Sequence, residues 1–316
     1  MNVTVVGAGV VGLTAAVTLT EAGHDVRVLA AATGDATTSA VAGAIWMPFE
    51  CGPRDAVNRW SARTRVWLEA LAATTPEAGV ELHDVVQLEP AGAGRPWWAD
   101  AAPALERMPA PVTGAPLAWR FRAPRVDPRR HLPWLASRLA RPVEIARVTR
   151  LADVPGDAVV NATGLGARAL AADDALRALY GQVLVTAPGA LDVRTTLSDD
   201  RDPDAMFYVI PRGDEVVIGG CALPRPDDDP LAPDPEIRAR IERHAARLGL
   251  APGPVLRERA GLRPARPTVR VERDPGDPRI IHDYGHGGAG YTLARGCAED
   301  VRALVAAGQV PPRVST

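Results

Sequence analysis

The sequence predicts an α/β fold, with an α+β second domain, mostly antiparallel sheet, inserted into it. Three observations predict this. Val3–Val6 is a short β-branched run ended by Gly7. Gly12–Ala22 carries Leu13, Ala16, Val17 and Leu19 at helical spacing, and Gly23 stops it. Val26–Leu29 is a second apolar run. Strand, glycine-rich turn, helix and strand in about thirty residues make a βαβ unit with parallel strands, a Rossmann-like arrangement.

The later elements follow in order. Between residues 52 and 135, a helix at Arg59–Ala72 and a Pro-rich loop at Pro103–Pro116 accompany a strand pair, Leu82–Leu88 and Leu117–Arg122. Pro133–Leu139 reads as a helix with Pro133 in its first turn. Val143–Val148 and Ala158–Asn161 are short, apolar and ended by turn signals, so they read as strands returning to the first unit. Gln182–Val185, Phe207–Ile210 and Glu215–Ile218 are further strands, the last two joined by a turn at Pro211–Asp214. Pro224–Pro235 is loop, and Asp234–Leu248 is a helix with Ile237, Ile241 and Leu248 on one side. A final helix starts near Tyr291 or Thr292 and ends at Ala307, before Gly308. The expected division is discontinuous: 1–50, 140–185 and 256–316 bind a nucleotide, and 51–139 and 186–255 form the substrate-binding domain.

Composition narrows the function classes. The 316 residues are 47% hydrophobic and 23% charged, ordinary for a globular chain with a real core. A net charge of −2 gives no reason to expect nucleic acid or an anionic membrane surface as partner. All 36 basic residues are Arg, most of them expected on the solvated surface. The three cysteines, Cys51, Cys221 and Cys297, are widely spaced and form no metal pattern, so no metal is expected. They suit a reducing compartment, and a cytoplasmic location is the expectation. No secretory leader, membrane-spanning run or peroxisomal address is expected, the tail Pro311–Thr316 being merely polar. The oligomeric state is not legible, though a homodimer is compatible.

The first chemical motif is Gly7-Ala8-Gly9-Val10-Val11-Gly12. Gly7 permits the tight turn, Gly9 lets the backbone approach a pyrophosphate, and Gly12 lets helix and strand pack closely. The helix that follows offers free N–H groups and its positive dipole end to phosphates. One expected part is missing. The second strand ends in Ala30-Ala31-Ala32 where a ribose-binding carboxylate belongs, and Asp35 lies late. Either Asp35 reaches back, or backbone groups and Thr37, Thr38 and Ser39 hold the cofactor. The absent carboxylate weakens a nicotinamide reading.

Two late segments carry more: Gly261-Leu262-Arg263-Pro264-Ala265-Arg266-Pro267, and Asp283-Tyr284-Gly285-His286-Gly287-Gly288-Ala289-Gly290-Tyr291-Thr292. The second is rich in small residues before a helix, which lets backbone lie against a flat ring and the helix end stabilise negative charge on it. With Gly7–Gly12, Ala42–Phe49, Asn161–Gly164 and Tyr208–Pro211, these segments closely resemble the D-amino acid oxidase family, which includes D-aspartate oxidases. The resemblance runs in order along almost the whole chain.

The resemblance implies oxidative deamination of D-amino acids with non-covalent FAD, hydride transfer from Cα, and molecular oxygen as electron acceptor giving hydrogen peroxide. It implies that Arg263 anchors the substrate carboxylate by its planar fork. Tyr208 would donate a hydrogen bond to the same group, and the carbonyl of Gly288 would hold the amine. Ile45, Met47, Phe49 and Ile210 would wall the side chain and favour neutral substrates. The FAD contacts implied are Gly7, Ala8, Gly9, Val10, Val11, Gly12, Thr37, Thr38, Ser39, Gly43, Ala44, Ile45, Val148, Thr163, Gly164, Arg263, Gly287, Gly288, Gly290, Tyr291 and Thr292. No general base is nominated; His286 and Arg266 are expected to be structural. The sequence departs from the family at Asp204, where mammalian members carry a lid tyrosine, and at Met47, where the family has Gln. The acidic stretch Asp199–Asp204 would disfavour acidic substrates.

Rival readings are a D-aspartate oxidase, a glycine or sarcosine oxidase, a flavin dehydrogenase that passes electrons to a carrier, and a nicotinamide-binding protein or non-catalytic nucleotide sensor. Turnover of D-alanine against glycine and sarcosine, peroxide release under air, and a yellow purified protein separate them.

Overall fold

The computed structural model describes residues 1–48, 51–90, 92–202, 205–226 and 231–308. Phe49, Asp204 and the tail Pro311–Thr316 lie outside the described residues. The chain opens with β1 (Asn2–Val6), α1 (Val10–Glu21) and β2 (Asp25–Ala30), followed by the single turn α2 (Thr38–Val41). Next come α3 (Arg54–Thr74), β3 (Val80–Leu88), β4 (Glu106–Pro109), β5 (Leu117–Val126), α4 (Pro128–Ser137) and β6 (Glu144–Ile145). β7 (Ala158–Asn161), α5 (Ala167–Leu170), β8 (Arg177–Thr186), β9 (Thr195–Asp199), β10 (Phe207–Arg212), β11 (Glu215–Gly219) and β12 (Leu223–Pro224) follow. The chain closes with α6 (Pro235–Arg247), β13 (Val255–Arg273), β14 (Ile280–His286) and α7 (Gly290–Ala307).

The strands form one sheet in the order β4-β5-β3-β9-β10-β11-β8-β13-β14-β7-β1-β2-β6, with β12 beside β8. From β14 to β6 every pairing is parallel, the predicted βαβ part. From β4 to β14 the pairings are antiparallel, apart from β3 with β9. The expected pair β3–β5 is present, Val80 facing Val126 through to Leu88 facing Ala118. β8, expected with the nucleotide-binding part, pairs with β11 and β13 in the antiparallel part.

β13 joins the two parts. Its first half pairs with β8 from Val255 to Ala265, and its second with β14 from Ala265 to Arg273. Pro264 and Pro267 fall at this change of partner, where proline's missing N–H costs least. The parallel part is covered by α1 and α7 side by side, with α3 against α7. Gly296 on α7 makes that contact close, because a Cβ there would lie 2.3 Å from the Trp60 carbonyl oxygen.

Three local readings change. α4 begins at Pro128, not Pro133, because Asp127 accepts the Arg129 N–H at 3.0 Å as a cap and Pro128 takes the first helical position. Pro133 therefore sits inside the helix. Only Glu144–Ile145 of Val143–Val148 joins the sheet, at its edge. The hairpin turn is Gly213–Asp214 alone, since Pro211 and Arg212 still pair with Val216 and Glu215.

Candidate active site

A cavity of about 740 Å³ runs from the β1–α1 turn to the face of the antiparallel strands. That volume suits a large organic ligand. At the first end, Gly7 takes φ 119°, and the carbonyl oxygen of Ala162 would lie 2.2 Å from any Cβ there. Gly7, Ala8, Gly9, Val10 and Val11 line the cavity. Gly12 stands behind them, where a Cβ would meet the Gly7 carbonyl oxygen at 2.0 Å. It does the close-packing task that the motif assigns it.

Ala30, Ala31 and Ala32 line the cavity, and Asp35 does not. Asp35 is exposed and faces Arg259 at 3.3 Å. Thr37, Thr38 and Ser39 do line the cavity, but their hydroxyls are engaged with protein. Thr37 donates to the Gly34 carbonyl, Thr38 donates to the Leu262 carbonyl, and Ser39 Oγ accepts the Val10 N–H at 2.9 Å. Val148, Thr163 and Gly164 complete this end. Asn161, ahead of Thr163, accepts its hydroxyl at 2.7 Å and so shapes the turn.

The segment 42–47 forms one wall, through Gly43, Ala44, Ile45 and Met47. Its backbone is tied at several points. Arg212 donates to the carbonyls of Ala42 and Gly43, and Val126 N–H donates to Ala44. Thr292 exchanges two hydrogen bonds with the backbone of Met47, at 3.0 and 3.1 Å. Thr292 is thus buried behind the wall and does not line the cavity, because its hydroxyl is occupied by Met47.

The other end is the sheet face. Tyr208 and Ile210 point into the cavity from β10, and Arg263 from β13. These strands are not adjacent, since β11 and β8 lie between them. Two glycines on the intervening strands leave the space the side chains occupy. A Cβ at Gly219 would fall 2.5 Å from the Tyr208 hydroxyl, and one at Gly181 would fall 2.6 Å from Arg263 Cζ. The phenol and the guanidinium therefore meet above the sheet. Burial pushes the Tyr208 phenol's pKa up, while Arg263 beside it pulls the other way. A neutral phenol can only gain from a negatively charged partner, and the Arg263 fork can bind the same group. Arg263 also donates to the Cys221 carbonyl, which fixes one edge of the fork.

Gly287, Gly288, Gly290 and Tyr291 line the cavity between its two ends. The Gly287 N–H donates to the Pro264 carbonyl at 2.9 Å, so this loop is tied to the residue after Arg263. His286 is buried, with Nε2 3.4 Å from Asp283 Oδ1. Burial raises the pKa of the Asp283 carboxyl against the pull of His286. Arg266 is structural: it donates to Asp173 at 2.9 Å and to Thr268.

Thr196, Ser198, Asp200, Met206 and Arg147 also line the cavity and were not predicted. The alternation of Thr196, Ser198 and Asp200 was a readable signal, since every second strand residue shares a face. Gly181 and Gly219 had none, because their role exists only once distant strands are brought together.

The cavity, the glycine turn at a helix N-terminus and the loop of small residues all fit a flavin dinucleotide. The comparisons agree. Residues 2–304 match the FAD dependent oxidoreductase family. A D-amino-acid oxidase of Rubrobacter xylanophilus is 39% identical, covering 96% of this chain and 95% of its own. A D-amino-acid oxidase of Streptomyces coelicolor is also 39% identical, covering 96% of each chain. Glycine oxidase of Geobacillus kaustophilus shares the fold, with a TM-score of 0.79 at 18% identity over 98% of this chain and 95% of that one. This chain belongs to the FAD dependent oxidoreductase family, is an enzyme, and takes FAD as its cofactor.

Proposed function

We propose that this protein oxidises D-amino acids with neutral side chains. The balance is D-amino acid, dioxygen and water giving 2-oxo acid, ammonia and hydrogen peroxide. The observation that carries the reading is the meeting of the Arg263 guanidinium and the Tyr208 phenol in the cavity that holds the dinucleotide turn. The two D-amino-acid oxidases at 39% identity support it.

FAD, when bound, would supply an acceptor for the α-hydrogen with its electron pair and a route for those electrons to oxygen. The rest is positioning. Arg263 binds the substrate carboxylate through two charge-assisted hydrogen bonds, and Tyr208 donates a third. The Gly288 carbonyl accepts from the amine. Ile45, Met47 and Ile210 pack the side chain and keep water from the α-carbon. No side chain is required as general base, and the imino acid hydrolyses in water.

Residues 1–50, 140–185 and 256–316, which hold the parallel part of the sheet together with β8 and β13, are proposed as the FAD-binding domain, and 51–139 and 186–255 as the substrate-binding domain. Non-covalent FAD is proposed as well. Cys51, Cys221 and Cys297 form no disulfide, and none lines the cavity. Acid precipitation should leave the yellow colour in the supernatant. Three cysteines outside any disulfide suit a reducing compartment, and the cytoplasm is proposed. Among the described residues no helix is long and apolar enough to cross a membrane.

The decisive assay is peroxide release from a panel of D- and L-amino acids, glycine and sarcosine. D-alanine should be oxidised and L-alanine should not. Turnover of glycine or sarcosine without D-alanine would overturn the proposal.

A further inference from the structure

The antiparallel sheet presents a second polar group to the cavity, on the far side of Tyr208 from Arg263. Thr196, Ser198 and Asp200 are alternate residues of β9 and its end, and all three line the cavity. Their neighbours turn away: Leu197 joins the core on the opposite face, and Asp199 is buried there against Arg201 and His244, at 2.7 and 2.9 Å. The register places Ser198 directly opposite Tyr208 on one side and opposite Gln87 on the other. Asp200 then lies two positions further along, held by Ser198 Oγ and Gln87 Nε2 at 3.3 Å each. Met206, two residues before Tyr208 on the same face, gives this stretch an apolar flank.

The charges on this wall are therefore ordered. Arg263 stands on one side of Tyr208 and the Asp200 carboxylate on the other. Met206 precedes Tyr208 by two residues and Asp200 follows Ser198 by two, so in this antiparallel pair both lie to the same side of Tyr208, and a substrate side chain that leaves Arg263 and Tyr208 past Met206 meets the Asp200 carboxylate.

We infer that Asp200 makes the site select side chains by charge. It excludes those that end in a carboxylate, and it accepts apolar stems that end in a hydrogen-bond donor or a cation. This rests on the proposed oxidation of D-amino acids and names the substrate class within it. Repulsion or attraction between unit charges a few ångströms apart, in a partly hydrated site, changes binding on the order of tenfold.

The test uses the holoenzyme and two nearly isosteric pairs, D-glutamine with D-glutamate and D-ornithine with D-norleucine. In the unaltered protein, kcat/KM should favour D-glutamine over D-glutamate by on the order of tenfold or more. It should also favour D-ornithine over D-norleucine. Asp200→Asn should move both ratios about tenfold towards one, and any general loss of activity cancels in the ratios. Asp200→Ser removes the same charge with a smaller group, should the first variant fold poorly. The inference is overturned if the unaltered enzyme oxidises D-alanine yet treats D-glutamine and D-glutamate alike, or if removing the charge leaves both ratios in place. Failure to oxidise any D-amino acid would instead overturn the proposed function.

Discussion

Arg263 and Tyr208 differ in what their loss removes. Arg263→Ala leaves the Tyr208 hydroxyl facing a substrate carboxylate without its counter-charge. Truncating one partner of such a pair costs about 2–5 kcal/mol. We expect kcat/KM for D-alanine to fall accordingly, with the visible flavin spectrum retained, and stopped-flow reduction of the flavin would measure it. Tyr208→Phe removes one hydrogen bond to a charged group, worth about 1.5–3 kcal/mol. It should raise KM more than it lowers kcat; an unchanged KM would exclude the hydroxyl as a carboxylate donor. At this scale a short motif was a sufficient guide to placement: Gly7–Val11, Arg263, Gly287 and Gly288 all reach one cavity. It was less so where a hydroxyl could choose among partners. Thr37, Thr38 and Ser39 line the cavity, and each hydroxyl also engages a backbone group of the protein. Thr292 likewise is spent on Met47.

Strands and helices set these residues in place, and two consequences belong to them. Gly181 on β8 makes room for the guanidinium, the mobile end of a long side chain. Gly181→Ala should therefore cost little stability but displace Arg263. The expected outcome is a loss of kcat/KM approaching that of Arg263→Ala, with a melting temperature close to the parent's. α4 carries a different effect. His131 is buried with Nδ1 2.9 Å from the Ala78 carbonyl oxygen, and burial pushes its pKa down to about 4. Between about pH 6.5 and 4 the unfolded chain binds a proton there that the folded chain does not. Stability should fall as pH is lowered through that window, by about 3 kcal/mol from this residue. His83 and His282 are held down by burial too and add to the slope. Urea midpoints measured from pH 7.5 to 4 would show the decline, and His131→Phe should flatten part of it. The start of α4 was signalled by Asp127-Pro128, but the extent of β13 was not. Its two prolines read locally as breaks, and only the exchange of partners from β8 to β14 lets one strand pass through them.

Across the whole molecule, the cofactor should act as a structural element. FAD binds the folded chain, so it stabilises by mass action, about 2.7 kcal/mol at a hundredfold excess over Kd. The apoprotein should melt several degrees below the holoprotein, and the gap should widen with added FAD; equal melting temperatures would argue against a preformed site. The βαβ part was legible because its period and its glycines are local. The long sheet was not, since strand order depends on contacts between residues far apart in the chain.

β13 sets Arg263 directly before Pro264, and the Pro264 carbonyl accepts the Gly287 N–H. The guanidinium proposed to hold the amino acid and the loop proposed to lie against the flavin are thus joined by one residue and one bond. Thermal motion that carries one sideways carries the other with it. The gap across which a hydrogen must pass is consequently gauged over a few ångströms of backbone, whatever the outer loops do.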